Sequence, residues 1–417
     1  MEKITKEEFD RLLTTIVAGD EAISDLLFVA AKPPQTEIHG QLKSFADAPD
    51  SSALTSARIE GYASVIINDD PRLAKDLAEH GSCDCSYSLS SSHRFRVNIY
   101  RQNGNYAMVL RRLQSQIPTM DSLRLPPVFR EIIKEKTGLI FVTGGTGSGK
   151  TTTLAAMLNE INQTSDVHIV TLEDPIEFLH PHLKATFSQR EFGRDFYSFP
   201  DGLRAALRQA PKIVFVGEIR DRESLEIALT AGETGHVVYS TLHTINAGQT
   251  INRILGMFSK EEEQQVRARL TGSLRYIVSQ RLVPKISGGR LLVTELMGSN
   301  LRTREVIALG ESENRNIGNI IEAAQPAGWH SFDQSLQKAY EEDLITEDMA
   351  LLYCTNKGQL GQRLDMVNKH RASARITLTL KMQEEKQIRR PPPPSPPAPS
   401  PSASSPPVLN EALAQPA

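Results

Sequence analysis

Apolar positions along the chain first follow a helical rhythm, with Phe9, Leu12, Leu13, Ile16 and Val17 on one side of residues 2–18. This spacing predicts an amphipathic helix. Strand-like pieces follow at 25–29 and 35–39, separated by Pro33 and Pro34, which cannot sit in a central ladder. Residues 74–80 read as helix, while 85–89, 95–101 and 106–112 alternate apolar and polar as strands do. Asn103-Gly104-Asn105 between the last two is a hairpin signal. The pattern predicts a first α+β domain over residues 1–115.

The prolines and the Thr119-Met120-Asp121-Ser122 cluster of residues 115–127 predict a linker at 116–127. Beyond it the rhythm becomes strand, helix, strand, which implies a mostly parallel sheet covered on both faces. Strands are expected at 139–143, 168–173, 213–217, 237–242 and 291–296. Helices are expected at 152–161, 202–209, 222–231, 248–257 and 261–279, with a helical end through 354. This second, α/β domain is assigned to 128–365. Residues 366–417 are read as a tail, proline-rich and disordered from about 389.

Composition narrows the class. The chain has 417 residues, 39% hydrophobic and 23% charged, ordinary for a globular protein of two or three domains. A formal net charge of −3 gives no global argument for nucleic acid, so none is expected as a partner. The N-terminus lacks the apolar stretch of a secretory signal, and no run reaches the roughly 18 residues of a membrane helix. Cys83, Cys85 and Cys354 form neither an even framework nor a C-x-x-C pair. These features predict a reduced, cytoplasmic protein whose membrane association is peripheral.

The most informative stretch is Leu139-Ile140-Phe141-Val142-Thr143-Gly144-Gly145-Thr146-Gly147-Ser148-Gly149-Lys150-Thr151-Thr152. Gly144, Gly149, Lys150 and Thr151 match G-x-x-x-x-G-K-[ST] between a strand and a helix, the context a phosphate loop requires. Glycines let the backbone curl around phosphate oxygens, and the helix start adds its positive dipole end. The expected ATP-binding set is Gly144, Gly145, Thr146, Gly147, Ser148, Gly149, Lys150, Thr151 and Thr152, with Lys150 on the β- and γ-phosphates and Thr151 on Mg²⁺.

Two acidic clusters sit where parallel strands should end, the position at which open α/β sheets bind ligands. One is Glu173-Asp174-Pro175-Ile176-Glu177; the other is Gly217-Glu218-Ile219-Arg220-Asp221 after a buried strand. Glu218 resembles the acid of a Walker B segment and is expected to help hold Mg²⁺. His236 and His243 bracket the strand 237–242, too far apart to share a metal.

Taken in order, these motifs, with Val216-Gly217-Glu218-Ile219-Arg220-Asp221 and Thr234-Gly235-His236-Val237-Val238-Tyr239-Ser240-Thr241-Leu242-His243-Thr244, resemble the secretion ATPases of type IV pili and type II and IV secretion systems. The likeness, strongest to the pilus-retraction branch, runs from about residue 23 to about 350. It implies a PAS-like domain followed by a RecA-like P-loop motor, assembled as a homohexamer that docks on an inner-membrane pilus platform protein. It also implies roles: water activation for Glu177, metal support for Glu218, γ-phosphate sensing for His236 and His243, and charge neutralisation for Arg96 and Arg112. The expected activity is ATP hydrolysis powering pilus retraction in twitching motility. A sister motor for pilus assembly or protein export, and a RecA-like nucleic-acid translocase, are the alternatives. Two segments depart from the family pattern, Gln209-Ala210-Pro211-Lys212 and residues 302–311.

Overall fold

The computed structural model describes residues 3–20, 22–45, 53–90, 92–313 and 315–388. The proline-rich segment read as a disordered tail lies outside these residues. The described residues divide into two units, with the boundary between Gly361 and Gln362.

The first part of the larger unit runs α1 (Lys6–Gly19), β1 (Ile23–Phe28), β2 (Gln35–Ile38), β3 (Gln41–Ser44), α2 (Ser56–Ile67), α3 (Pro71–Glu79), β4 (Ser82–Ser88), β5 (Arg94–Gln102) and β6 (Asn105–Leu113). Thr5 and Glu8 close a capping box at the start of α1, and such caps are worth about 1 kcal/mol. The five predicted residues Phe9, Leu12, Leu13, Ile16 and Val17 are its buried face. The strands form one antiparallel sheet in the order β3-β2-β1-β6-β5-β4. Asn103 (φ 48°) and Gly104 (φ 76°) make the two-residue turn between Gln102 and Asn105, where both central residues need positive φ. Phe95, Val97 and Ile99 face the helices and join Phe9, Tyr62 and Leu73 in one core. Alternation therefore turns Arg94, Arg96 and Asn98 to the other face.

The sequence reading overlooked α2, although Ile59, Tyr62, Ala63 and Ile66 lie on its buried side at helical spacing and Thr55 caps it. Its β-branched residues and Gly61 mask the signal.

The second part contains α4 (Phe129–Ile132), β7 (Gly138–Gly144), α5 (Lys150–Thr164), β8 (His168–Glu173), β9 (Thr186–Glu191), α6 (Phe199–Ala206), β10 (Ile213–Val216), α7 (Arg222–Glu233), β11 (Val237–Leu242), α8 (Ala247–Leu255), α9 (Glu263–Ser273), β12 (Leu274–Pro284) and β13 (Arg290–Gly298). Then follow α10 (Leu301–Leu309), α11 (Ile317–Ala323), α12 (Phe332–Glu341), α13 (Glu347–Tyr353) and α14 (Lys357–Ile388). The strand order is β13-β12-β7-β11-β10-β8-β9, parallel throughout except for the antiparallel edge strand β13. Leu139 and Phe141 pack on one face, Ile140 and Val142 on the other, so each face has its own core.

Two strands of this second sheet depart from the sequence reading. The helix expected to reach Ser279 ends at Ser273, because Leu274-Arg275-Tyr276-Ile277-Val278 enters the sheet beside β7 as β12. An apolar run this short fits either period, and pairing with a buried strand decides it. The edge strand β9 is half-polar and carried no run to read. In the region read as tail, α14 extends to Ile388; its sequence is rich in helix formers and has no glycine or proline after Gly361. Among the described residues no helix is long and apolar enough to cross a membrane.

Candidate active site

Parallel strands deliver their C-terminal ends to one edge, and the sequence placed its chemistry there. At the end of β7 the chain turns through the phosphate loop into α5. Gly144 has φ 149°, and a Cβ on it would stand 2.5 Å from the Ser148 hydroxyl and 2.7 Å from the Gln280 carbonyl oxygen, so only glycine fits. Lys150 is buried, and its Nζ donates to the carbonyls of Gly144 and Gly145, both at 3.0 Å. Burial lowers its pKa and the nearby Glu177 carboxylate raises it.

A cavity of about 290 Å³ opens against this loop. Thr146, Gly147, Lys150 and Thr151 line it from the loop side; Glu173, Asp174 and Glu177 from the end of β8; Glu218 from the end of β10; His243 from the end of β11; and Arg96 from the first sheet. Burial raises the Glu177 pKa, a shift opposed by the neighbouring Thr151 hydroxyl and by Arg96 and Lys150. Glu218 pairs with the Arg220 guanidinium through one oxygen and lies 3.1 Å from His243 Nε2 through the other. Burial, then Lys150 and Arg220, lower the His243 pKa and favour the neutral imidazole. Gly217 is held between β8 and β11, donating to Leu172 O at 2.8 Å and accepting from Thr241 at 2.7 Å, which fixes where Glu218 emerges.

A second cavity of about 510 Å³ lies on the other side of the loop. Gly147, Lys150, Thr151 and Glu177 are common to both, and Ser148, Gly149 and Thr152 join them here. Leu123, Leu282 and Leu292 give it apolar walls, with Arg290 at its rim. The two cavities share the phosphate loop: an acid-lined chamber on one side and, on the other, one with apolar walls beside polar loop residues. That shape suits a nucleotide, with charged phosphates at one end and a flat base at the other.

Two predicted residues are not brought to the site. His236 stands before β11, with its carbonyl accepting from Gly138 N at 2.9 Å and its Nδ1 3.3 Å from Ala231 O. That is the opposite end of the sheet, on the order of 20 Å from His243 along a six-residue strand. Arg112 pairs with Phe95 in the β5–β6 register, which gives it the face of the first core rather than that of Arg96. The residue opposite Arg96 is Arg111, whose Nε donates to Asp25 at 2.8 Å.

Sequence reasoning missed Arg94 and Glu191 altogether. Arg94 is buried, donates to Ile176 O at 2.9 Å and pairs with Glu191 at 3.6 Å. Arg94 shares a sheet face with Arg96, a signal readable from alternation once β5 was assigned. Glu191 lies on the strand that was not predicted.

The family model for type II/IV secretion system proteins matches residues 86–290. The chain is 38% identical over 333 residues to the type IV pilus retraction ATPase PilT of Pseudomonas aeruginosa, covering 80% of this chain and 94% of that protein. It is 37% identical over 323 residues to a twitching motility protein of Neisseria gonorrhoeae, covering 77% and 84%. Among solved structures, that of the pilus retraction motor PilT with bound ADP is similar with a TM-score of 0.76 and 40% identity, covering 84% of this chain and 99% of that one.

Proposed function

The chain belongs to the type II/IV secretion ATPase family, with a RecA-like P-loop ATPase fold behind a smaller PAS-like α+β domain, and on that premise we propose that it is the motor of type IV pilus retraction. One observation carries the reading: the likeness to the Pseudomonas retraction ATPase extends over 80% of this chain, against 55% for the assembly ATPase PilB of the same organism. The working form in this proposal is a cytoplasmic homohexamer docked on a membrane platform protein. Its first domain spans residues 1–115 and its motor domain 128–365, joined by 116–127.

The proposed roles follow from these two cavities. Loop amides, the start of α5 and Lys150 would hold the phosphates, Lys150 exchanging its two carbonyl acceptors for phosphate oxygens. The leucine-walled part of the second cavity, beside Leu123, Leu282 and Leu292, would take the base. The donor set fits Mg²⁺, because Thr151 and Glu218 offer hard oxygens of the kind used when phosphates and waters complete the shell. Held there, the ion would supply neutralisation of charge on the β- and γ-phosphates. Glu177 would accept a proton from the attacking water, its carboxylate oriented by Thr151. Neutral His243 would report γ-phosphate occupancy to Glu218, its partner at 3.1 Å. Arg96 would place a guanidinium against charge spread over the transferring phosphoryl.

The test is a cell whose only copy carries Lys150→Ala. ATP turnover by the purified protein should fall by at least about a thousandfold, as expected when a phosphate-holding cation is lost. Surface pili should persist or multiply while surface motility fails. Disappearance of pili would instead identify an assembly motor and overturn the proposal.

A further inference from the structure

The face of the first sheet that turns away from its own core rests on the motor domain, and its contacts converge on one short stretch of backbone. Ile176 immediately precedes Glu177. Its N–H donates to Glu191 Oε2 at 3.1 Å, and its carbonyl accepts from Arg94 Nη1 at 2.9 Å. Arg94 Nη2 closes the ring with Glu191 at 3.6 Å, and Ser86 Oγ donates to Glu191 at 2.5 Å. The Arg94 and Glu191 side chains are only 10% and 9% exposed. Both polar groups of the residue before the catalytic carboxylate are thus held, one by each domain.

The two arginines of β5 have different attachments. Arg96, two residues along the same strand face, lines the phosphate chamber. Arg94 reaches the backbone behind that chamber. Because they ride on one rigid strand, any rotation of the first sheet that withdraws Arg96 also strips the Ile176 carbonyl of its donor and Glu191 of its cation. The Ile176 carbonyl, the Glu191 carboxylate and the Arg96 guanidinium therefore change surroundings in one motion.

We propose that Arg94 and Glu191 form a positioning clasp that fixes the Ile176 backbone, and so aims Glu177, only while the first domain is docked. The clasp rests on the reading of Glu177 as the base. It makes hydrolysis conditional on domain closure: the arginine that enters the chamber and the carboxylate that activates water arrive together. A misplacement of about 1 Å at such a group can cost about a hundredfold in rate.

The experiment compares full-length wild type with Arg94→Ala, Arg94→Lys and Glu191→Gln, measuring kcat, KM, affinity for a fluorescent ADP analogue, and amide exchange over residues 174–179. Arg94→Ala should lower kcat by about 10- to 100-fold while analogue affinity changes by less than about threefold, and exchange over 174–179 should quicken with that of β4–β6 unchanged. Lysine keeps the charge beside Glu191 but not the guanidinium fork, so Arg94→Lys should fall between. Unchanged kcat and exchange in Arg94→Ala would overturn the clasp. So would faster exchange throughout the first sheet, which marks a folding role. If Glu177→Gln turns over at the wild-type rate, the base assignment fails instead, and the exchange measurement still judges the clasp by itself.

Discussion

The two sheets of this protein solve different problems. The motor sheet is buried on both faces, so its strands are near-continuous apolar runs, and each parallel strand hands its last residue to the same edge. Candidate chemistry on such a sheet sits in the segments that follow the strands, as Lys150 after β7, Glu177 after β8 and Glu218 after β10 do. The first sheet is antiparallel with one face on its own helices, and its other face contributes Arg94 and Arg96 only because it docks elsewhere. In the motor sheet the candidate site residues lie at strand ends; in the first sheet they lie on a face. In the mechanism proposed above, the motor sheet holds the phosphates and the first sheet governs whether the held phosphate is attacked.

The sharpest way to break that division is to remove the motor sheet's proposed base. Glu177→Gln keeps the shape of the side chain and should lower ATP turnover by about 10²- to 10⁴-fold, with nucleotide affinity retained. Because burial raises the Glu177 pKa and the base acts only when ionised, wild-type kcat should fall on acidification at a pH above the ordinary carboxylate range. Activity is present above the raised pKa and lost as pH drops through it. An acid limb at about 4, or none, would count against this group.

The first sheet's part is tested by its arginines. Arg96→Ala should reduce kcat by at least about tenfold, since a guanidinium beside the transferring phosphoryl supplies charge that water replaces poorly. Arg112→Ala should stay within about twofold, because register gives Arg112 the face of Phe95. Steady-state turnover per folded subunit measures both. Equal losses would mean that both faces of the first sheet serve nucleotide, one of them on a neighbouring subunit, and the division between end and face would fail.

How much of this could be read from the chain follows the same contrast. The phosphate loop, the acidic turn after β8 and Glu218 after β10 were legible because an apolar strand must end before a charged group can appear. His236 and His243 entered the candidate set through the family resemblance alone; the strand between them places only His243 at the edge that carries the phosphate loop. Strand β12 was read as helix because apolar residues in Leu274-Arg275-Tyr276-Ile277-Val278 satisfy both periods until a neighbour is known. The face Arg94 shares with Arg96 was readable from the alternation of β5, but its task was not, and Glu191 lies on a half-polar edge strand that offers no run to read. Only a contact between parts about a hundred residues apart gives the two a task.

The smallest effect sharpens the contrast from inside the motor sheet, where strict burial leaves a cost that a solvated face would not show. Glu173, the last residue of β8, is buried, and burial pushes its pKa from the ordinary 4.5 to about 7 despite hydrogen bonds from Thr171 at 2.6 Å and Gln189 at 3.2 Å. Since the folded state holds this proton more tightly than the unfolded chain, the contribution to stability is fully present below about pH 4.5, declines as pH rises toward 7, and stays lost above it. Glu173→Gln removes the ionisation but keeps a carbonyl oxygen for the same two donors, which both address Oε1. At pH 8, without nucleotide, the variant should melt on the order of 2–4 °C above wild type, and the gap should close as the pH approaches 5. Comparing the two proteins at each pH cancels the shared titrating groups remote from Glu173, leaving Glu173 and the neighbouring Glu177 that interacts with it. A gap that does not change with pH would mean that Glu173 is already neutral, or already ionised, across the range, and that the end of β8 is wetter than its burial implies.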